Sequence, residues 1–500
     1  MNKDAYDDLL NRLREIGQLD ATAALLDWDA ETYMPKNGLG VRADQLALLA
    51  RLSHERMTDP AIGDRISELD EKCDDEVSET NVREIKRLYL RATKIPTSLV
   101  ERIARVSTVA KESWQKAREH SNFNTFKPHL AELIELRCQV ADAIGYQNER
   151  YDALLDEFEP GMTTKEVDRL FGALRGPLSE FVQAIAESNG RPDVSILHRD
   201  YPVETQKLWS RQMAAEIGFD FGSGRIDIST HPFCSGSAPT DVRLTTRYME
   251  KFFNSAMFGT LHEAGHGLYE QGLPEEHVFT PRGQAVSLGI HESQSRLWEN
   301  FVGRSREFWE RYYPQCRVAF AEALSDVSLD QFYSAINAVS PSLIRVEADE
   351  VTYNLHIILR FEIERDLIGG RLAVGDLPEA WNEKMATLVG VRPSNDAEGC
   401  LQDIHWSMGG FGYFPTYALG NLYAAQFFAR AKKDIPELMD QIRVGEFAPL
   451  LEWLRMKIHR HGQHYRASEL VQRVSGRALS IEPFLDYVSD KFGPLYGIED

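Results

Sequence analysis

The chain has 500 residues, of which 43% are hydrophobic and 27% charged, as is ordinary for a globular protein. Its net charge of −21, from 56 basic and 77 acidic side chains, argues against nucleic-acid partners and against binding to an anionic membrane surface. Because the five cysteines are scattered without a CxxC pair, and neither a signal peptide nor a membrane-spanning apolar run is visible, we expect a cytoplasmic protein.

Helical periodicity dominates the first 150 residues. Leu9, Leu13 and Ile16 fall on one face of a first predicted helix, and residues 23–34 predict a second one that ends at Pro35. The same pattern predicts four further helices, over residues 41–57, 79–93, 96–120 and 126–144.

Strand signals are confined to two short segments, residues 225–230 and 241–245. Hydrophobic residues alternate with polar ones in both segments. The ten residues between them contain Gly, Ser and two prolines, and are therefore expected to form a loop. The sequence predicts a small sheet at this point.

The rest of the chain is again helical in pattern. Residues 288–302 predict one helix, and residues 347–367 predict a long one that ends before Gly369 and Gly370. Three more helices are predicted over residues 417–431, 435–444 and 450–461. Since no repeat, low-complexity segment or linker is visible, we expect one mainly α domain over residues 1–500. This domain could be divided into two helical lobes.

Residues 257–272 read MFGTLHEAGHGLYEQG and contain the pattern H-E-x-x-H at His262, Glu263 and His266. Residues four apart share one face of a helix, so both imidazoles can reach one metal ion. Glu263 stands beside them, where it can take a proton from a water polarised by the metal. The pattern predicts a zinc metallopeptidase. The alternative is a helix whose histidines only pack, but the apolar residues before the motif favour a buried active-site helix.

A third metal ligand must come from outside this motif, because the extended pattern H-E-x-x-H-x-x-G-x-x-H is not met after His266. His277 in a predicted loop and Glu270 on the same helix are weak candidates. On the next predicted helix, Glu292 and Glu299 lie two turns apart on one face. The spacing favours Glu292 and leaves Glu299 as an outer or structural carboxylate.

The HExxH helix followed by HESQS resembles the thermostable carboxypeptidase Taq family, the M32 metallopeptidases. The N-terminal segment LLDWDAETYMP also looks similar to this family, and no motif departs from its pattern. Five further motifs match, namely HPF at 231–233, DxRxT at 241–245, HES/GQ at 291–294, IRxxAD at 344–349 and GxxQDxHW at 399–406.

The resemblance implies a mostly helical, zincin-like fold with a deep substrate groove, a homodimer, and removal of single residues from peptide C-termini. It implies that His262, His266 and Glu292 bind one metal ion per chain and that Glu263 is the general base. Zinc is the expected ion, and cobalt and manganese are expected substitutes because imidazole and carboxylate ligands also accept them.

The tetrahedral oxyanion of peptide hydrolysis needs a hydrogen-bond donor besides the metal. The segment 405–417 contains three candidates, His405, Tyr413 and Tyr417. His405 lies inside a family motif, which favours it. The two tyrosines are equally well explained as walls of the groove.

A carboxypeptidase must also hold the carboxylate at the substrate's C-terminus, and the guanidinium of arginine suits that task. Arg345, expected next to the start of the long helix 347–367, is the first candidate. The alternative is that Arg345 pairs with Glu347 or Asp349 and only stabilises the fold.

The segment 231–245 supplies further candidates for substrate binding. Arg243 and Asp241 project from the second predicted strand, which could pair with an extended peptide if it lies at a sheet edge. They could equally form a structural ion pair. His231 either binds substrate or fixes its own loop, whereas Cys234 and Cys400 are expected to be small core residues.

Two other functions agree with part of this pattern. An endo-acting zinc oligopeptidase would share the metal chemistry but would need no arginine for a terminal carboxylate. A catalytically silent zinc protein that binds peptides would need no general base and therefore no Glu263. Its zinc would also be expected to have four protein ligands, as structural zinc normally has.

Overall fold

The computed structural model describes residues 1–70, 72–188 and 190–498, and these are mainly helical. None of the helices in these ranges is both long and apolar enough to cross a membrane. The α-helices are α1 Lys3–Thr32, α2 Leu39–Met57, α3 Pro60–Leu69, α4 Glu76–Lys94, α5 Thr97–Glu119, α6 Phe123–Ile144, α7 Arg150–Leu155, α8 Thr164–Glu187, α9 Val203–Glu216, α10 Phe253–Gln271, α11 Leu288–Arg296, α12 Arg306–Ala319, α13 Ala321–Leu324, α14 Leu329–Ile336, α15 Tyr353–Ile368, α16 Leu377–Leu388, α17 Pro415–Asp434, α18 Leu438–Val444, α19 Ala448–Lys457, α20 Ala467–Ser475 and α21 Glu482–Tyr496.

The first helix differs from its prediction. One continuous helix, α1, replaces the two that the sequence predicted. Gly17 falls where the break was expected, but it lies against Phe279. A Cβ atom added at Gly17 would come within 2.6 Å of the Cβ atom of Phe279. The glycine therefore marks a close contact on a helix face and not a helix end. Leu9, Leu13 and Ile16 are buried, as predicted.

The predicted long helix 347–367 also starts later than expected. Arg345–Glu347 forms a 3₁₀ turn, and α15 begins only at Tyr353. Asp349 accepts hydrogen bonds from the backbone N–H groups of Val351 and Thr352, which holds the intervening residues in a turn. Arg345 therefore lies in a 3₁₀ turn ahead of the helix, and not at its start.

The sheet has three strands, β1 Gly224–Ile228, β2 Cys234–Ala238 and β3 Asp241–Thr246, in the order β1-β3-β2. β1 pairs with β3 in parallel, and β2 pairs with β3 in antiparallel fashion with a register shift between Gly236 and Ala238. The predicted loop thus contains a strand. Its sequence, CSGSA, lacks the alternation of hydrophobic and polar residues that would have predicted one. Because β3 is the central strand, both of its edges are already paired.

The chain forms two compact units. The first contains Met1–Thr93, Pro192–Ile336 and Ala424–Ala478, and the second contains Lys94–Arg191, Asn337–Tyr423 and Leu479–Asp500. The sheet, α10 and α11 belong to the first unit. α10 is buried along most of its length and packs against β3, α9 and α11. The sheet thus lies beside the HExxH helix, as predicted.

One glycine decides how closely α10 and α11 approach each other. A Cβ atom on Gly265 would lie 2.6 Å from the carbonyl oxygen of Gln294 and from the Cα atom of Ser295. Only glycine fits at such a distance. The close crossing brings Glu292 on α11 to the side of α10 that carries the two histidines.

Candidate metal centre

The imidazoles of His262 and His266 are neighbours on α10. They lie one turn apart, and their ring centroids are 4.9 Å apart. Both are partly buried, with 18% and 15% of their side-chain surface exposed. The helical spacing in H-E-x-x-H therefore places both rings on one face, as the sequence predicted.

Glu292 on α11 completes a compact group of three side chains. Its Oε2 atom is 3.6 Å from Nε2 of His262 and 3.4 Å from Nε2 of His266. The three potential ligand atoms lie within 4.8 Å of one another. The other carboxylate oxygen, Oε1, accepts a hydrogen bond of 2.7 Å from Nε of Arg296, one turn further along. Glu292 is thus held with one oxygen turned toward the two imidazoles.

The other ring nitrogen of His262 has its own partner. Nδ1 of His262 is 2.8 Å from Oε2 of Glu299. Glu299 lies in a π-helical turn, Leu297–Val302, that continues α11, and its carboxylate also contacts Arg296 and Arg304. π-Helical turns are rare and often lie at functional sites. The turn brings Glu299 to Nδ1 of His262, and Glu299 is not part of the group of three potential ligands.

The other ring nitrogen of His266 contacts a third histidine. Nδ1 of His266 is 2.5 Å from Nδ1 of His291, and Nε2 of His291 is 2.7 Å from Oε1 of Glu270. Glu270 therefore contacts an outer imidazole and is not part of the group of three potential ligands.

Burial and charge act in opposite directions at this site. Burial lowers the pKa of His266 to about 3, which keeps its ring neutral. Burial disfavours the ionised form of Glu292, but Arg296 and the two histidines hold its pKa well below the ordinary value. Burial also opposes protonation of His262, yet Glu292 and Glu299 raise the pKa of this ring. The carboxylates thus create a field that attracts a cation.

Glu263 behaves differently from Glu292. Its side chain is buried, and desolvation raises its pKa to about 7, assisted by the charge of Glu292. A cation held beside it would lower this pKa and favour the carboxylate form. In that form Glu263 can accept a proton.

The donor set fits a divalent metal ion. Two imidazole Nε2 atoms and one carboxylate oxygen converge, and each Nδ1 atom is occupied elsewhere. Catalytic zinc uses three protein ligands of these types and keeps a position open for substrate or water. His277 and the thiols Cys234 and Cys400 are not part of this group.

In the second unit, the structure brings the predicted oxyanion donors together. Nε2 of His405 is 3.2 Å from the hydroxyl of Tyr417, and the ring centroids of Tyr413 and Tyr417 are 5.3 Å apart. Desolvation and the nearby Arg345 and Arg360 lower the pKa of His405 to about 3, against the opposing charge of Asp403. His405 is therefore neutral at physiological pH and carries one N–H donor.

Arg345 is buried in the same unit and has several partners. Its Nε and Nη2 atoms donate to Asp403 Oδ1 at 3.0 and 2.8 Å, and Nη1 donates to the hydroxyl of Tyr353 at 2.9 Å. Arg360, which is fully buried, donates to the other oxygen of Asp403 at 2.7 Å. The structural partner of Arg345 is thus Asp403, and not Glu347 or Asp349.

We expect Asp403→Asn to lower the free energy of unfolding by about 3–5 kcal/mol, because it leaves two buried guanidinium groups without a counter-charge. Chemical denaturation measures this loss. The control is Glu379→Gln, which removes an exposed pair with Arg392 and is expected to cost less than about 1 kcal/mol. A loss as small as that of the control would show that Asp403 does not hold the two arginines.

Arg243 and Asp241 form a bidentate ion pair on β3, with distances of 2.9 and 3.0 Å. The guanidinium of Arg243 also lies over the ring of Trp28, 4.4 Å from its centroid. His231 is exposed in the segment before β2, and its carbonyl oxygen accepts a hydrogen bond from Ser229. The predicted ion pair between Arg243 and Asp241 is therefore present. Since β3 is central, an added peptide strand could pair only with β1 or β2.

Several residues that shape these sites were not among those predicted from the sequence. Arg296 could have been found from its spacing, because it stands four residues after Glu292 on the same helix. His291 drew attention only as part of a family motif, although it contacts His266. No local signal connects Arg360 with Asp403, which is 43 residues away.

Comparison with known proteins gives matches over nearly the whole chain. The sequence model of the family described as Carboxypeptidase Taq (M32) metallopeptidase matches residues 8–492. Thermostable carboxypeptidase 1 of Thermus thermophilus is 49% identical, over 99% of both chains, and carboxypeptidase 1 of Bacillus subtilis is 40% identical, over 98% of both. The crystal structure of the M32 carboxypeptidase from Deinococcus radiodurans superposes with a TM-score of 0.96 at 38% identity, covering 99% of this chain and 100% of that one. The likeness thus extends to sequence and fold alike.

Proposed function

The chain belongs to the carboxypeptidase Taq (M32) family of metallopeptidases, and on this premise we propose that it is a zinc enzyme that releases single amino acids from the C-termini of peptides with broad specificity. The observation that carries the proposal is the convergence of His262, His266 and Glu292 beside the buried Glu263. This arrangement joins a metal site to a proton acceptor, as hydrolysis of a peptide bond requires.

His262, His266 and Glu292 would hold one zinc ion per chain, with cobalt or manganese as substitutes. When bound, the ion supplies Lewis-acid polarisation and lowers the pKa of water toward neutrality. The chain supplies the orientation of the ligands. Glu299 and Arg296 hold His262 and Glu292, so that little rearrangement is needed when a cation enters.

Glu263 is proposed as the general base. It accepts a proton from the attacking water and passes that proton to the nitrogen of the leaving amino acid. Its burial beside the proposed metal ligands supports this role, because a carboxylate held there can take a proton from the water and then give it back.

His405, Tyr413 and Tyr417 are proposed to stabilise the oxyanion. A neutral imidazole and two phenolic hydroxyls can each donate one hydrogen bond without bringing a full charge. In the contact between His405 and Tyr417 one group donates to the other, which orients both before substrate binds and leaves one of these two donors for the oxyanion.

Arg345 is proposed to bind the terminal carboxylate of the substrate, with Arg243, Asp241 and His231 as further substrate contacts. Asp403 and Tyr353 already hold the guanidinium of Arg345 in place, which supplies a pre-oriented cation. They also occupy three of its N–H donors, so the substrate would use those that remain. Arg243 is the next candidate, since its pair with Asp241 is more exposed.

Blocking the terminal carboxylate separates removal of single C-terminal residues from internal cleavage. We expect amidation of a peptide to lower the cleavage rate by roughly thirtyfold to several thousandfold, because a charge-assisted hydrogen bond worth about 2–5 kcal/mol is lost. Acetylation of the amino end is expected to have no such effect. The measurement compares the free, amidated and acetylated forms of one peptide by mass spectrometry. If the amidated peptide is cleaved equally fast at internal bonds, the protein is an oligopeptidase. If no form is cleaved, the proposed hydrolytic activity is overturned.

The same comparison with Arg345→Ala tests the proposed role of that residue. The variant is expected to lose activity on the free peptide and to discriminate less between the free and amidated forms. If it discriminates as well as the wild type, the carboxylate is bound elsewhere, with Arg243 as the next candidate.

We further propose a domain organisation, an oligomeric state and a cellular location for the chain. Residues 1–500 are proposed to act as a single catalytic domain made of the two compact units, and to form a homodimer. A cytoplasmic location agrees with the five cysteines, all of which are free thiols. Peptides are the expected partners, and neither nucleic acid nor membrane is expected to bind because the net charge is −21.

A further inference from the structure

The two histidines of the candidate metal site are supported in different ways. His262 uses its Nδ1 atom to contact the carboxylate of Glu299 directly, at 2.8 Å. His266 reaches a carboxylate only through a second imidazole. Its Nδ1 atom is 2.5 Å from Nδ1 of His291, whose Nε2 atom is 2.7 Å from Oε1 of Glu270.

We propose that His291 and Glu270 are positioning residues, which fix the tautomer and the ring orientation of His266 so that its Nε2 lone pair faces the metal ion. The proposal rests on the assignment of His266 as a metal ligand. It gives a role to the histidine of the HES motif that is separate from the role of the neighbouring Glu292.

The proposed arrangement of protons has Glu270 ionised and His291 neutral. A carboxylate only accepts, so His291 donates to Glu270 from Nε2. A neutral imidazole has one donor and one acceptor, so Nδ1 of His291 must accept. His266 then donates from Nδ1, and its Nε2 atom keeps a lone pair. This atom is also the one that lies 3.4 Å from Glu292.

The two helices place this chain of contacts by local spacing. Glu270 stands one turn after His266 on α10, and His291 on α11 inserts between the two side chains. The ring of Tyr269 lies 5.2 Å from that of His291 and limits its movement. The side chains of His266, His291 and Glu270 are only 15–21% exposed, so water competes little with these contacts.

Zn²⁺ affinity tests the proposal without any substrate. Outer partners of metal-binding histidines typically contribute about 10- to 100-fold in affinity, so His291→Phe is expected to weaken Zn²⁺ binding by that factor. His291→Asn is expected to restore most of the loss, because its Oδ1 atom can replace Nδ1 as the acceptor. Glu270→Gln is expected to lie between His291→Phe and the wild type, since the amide oxygen still accepts but carries no charge. Competition with a chelator measures all three variants.

Two further measurements distinguish positioning from general support of the fold. The control Glu275→Gln changes an exposed acid near the same helix end and is expected to leave the affinity unchanged. In the Zn²⁺-loaded wild type, ¹⁵N spectra of labelled histidines are expected to show His266 protonated at Nδ1 and His291 protonated at Nε2.

The outcomes separate this proposal from the proposed function. If the wild type takes up no Zn²⁺, both are overturned. If Zn²⁺ binds tightly but His291→Phe binds it equally well, or if the spectra show the opposite tautomers, only the positioning role is overturned. Equal losses in His291→Asn and His291→Phe would also overturn it, because then the acceptor atom does not matter.

Discussion

Glu263→Gln is expected to lower kcat by about 10²- to 10⁴-fold while the metal content stays near one ion per chain. The amide keeps the size and shape of the side chain, but it cannot take a proton from water. Since the three proposed ligands are untouched, the loss concerns proton transfer and not metal binding. The measurements are turnover of a free peptide and metal analysis of the purified variant.

Glu275→Gln is the matched control for this experiment, because it makes the same chemical change at an exposed position. It is expected to retain the wild-type kcat. Peptide hydrolysis by Glu263→Gln at nearly the wild-type rate would show that Glu263 is not the base. Loss of the metal together with activity would instead show that Glu263 supports the metal site.

Glu292→Ala is expected to remove most of the bound metal, and Glu299→Ala to weaken metal binding by only about 10- to 100-fold. The reason is the position of each carboxylate. Glu292 turns Oε2 toward the Nε2 atoms of both histidines, whereas Glu299 contacts only the outer nitrogen of His262. Chelator competition gives the affinity of each variant for Zn²⁺.

The pair of variants is informative because both remove one glutamate of low exposure, 6% for Glu292 and 12% for Glu299, from the same helical segment, and Arg296 contacts both carboxylates. General destabilisation would therefore affect the two alike. If Glu292→Ala keeps as much zinc as the wild type, Glu292 is not a ligand. If the order of the two losses is reversed, Glu299 takes its place.

The helical character of the chain, the HExxH helix and the small sheet were all predicted correctly from the sequence. These features are local: a hydrophobic period of 3.6 residues and a pair of histidines four residues apart appear within one or two turns. The choice of Glu292 over Glu299 followed from the resemblance to a family, since spacing alone only favoured it. The structure agrees with that choice through the distances to His262 and His266, and the role itself stays a prediction.

The sequence by itself thus determined the mainly helical class, the metal-binding pattern and the family, because these depend on residues that are close in the chain. The tertiary structure decided what each side chain touches. Strand β2 exists because its backbone pairs with β3, although its residues show no alternation. Arg345 is held by Asp403, 58 residues away, and His266 contacts His291 because Gly265 lets two helices approach closely. Such pairings depend on the packing of segments that are distant in the chain, and hydrophobic periodicity does not predict which distant segments pack together.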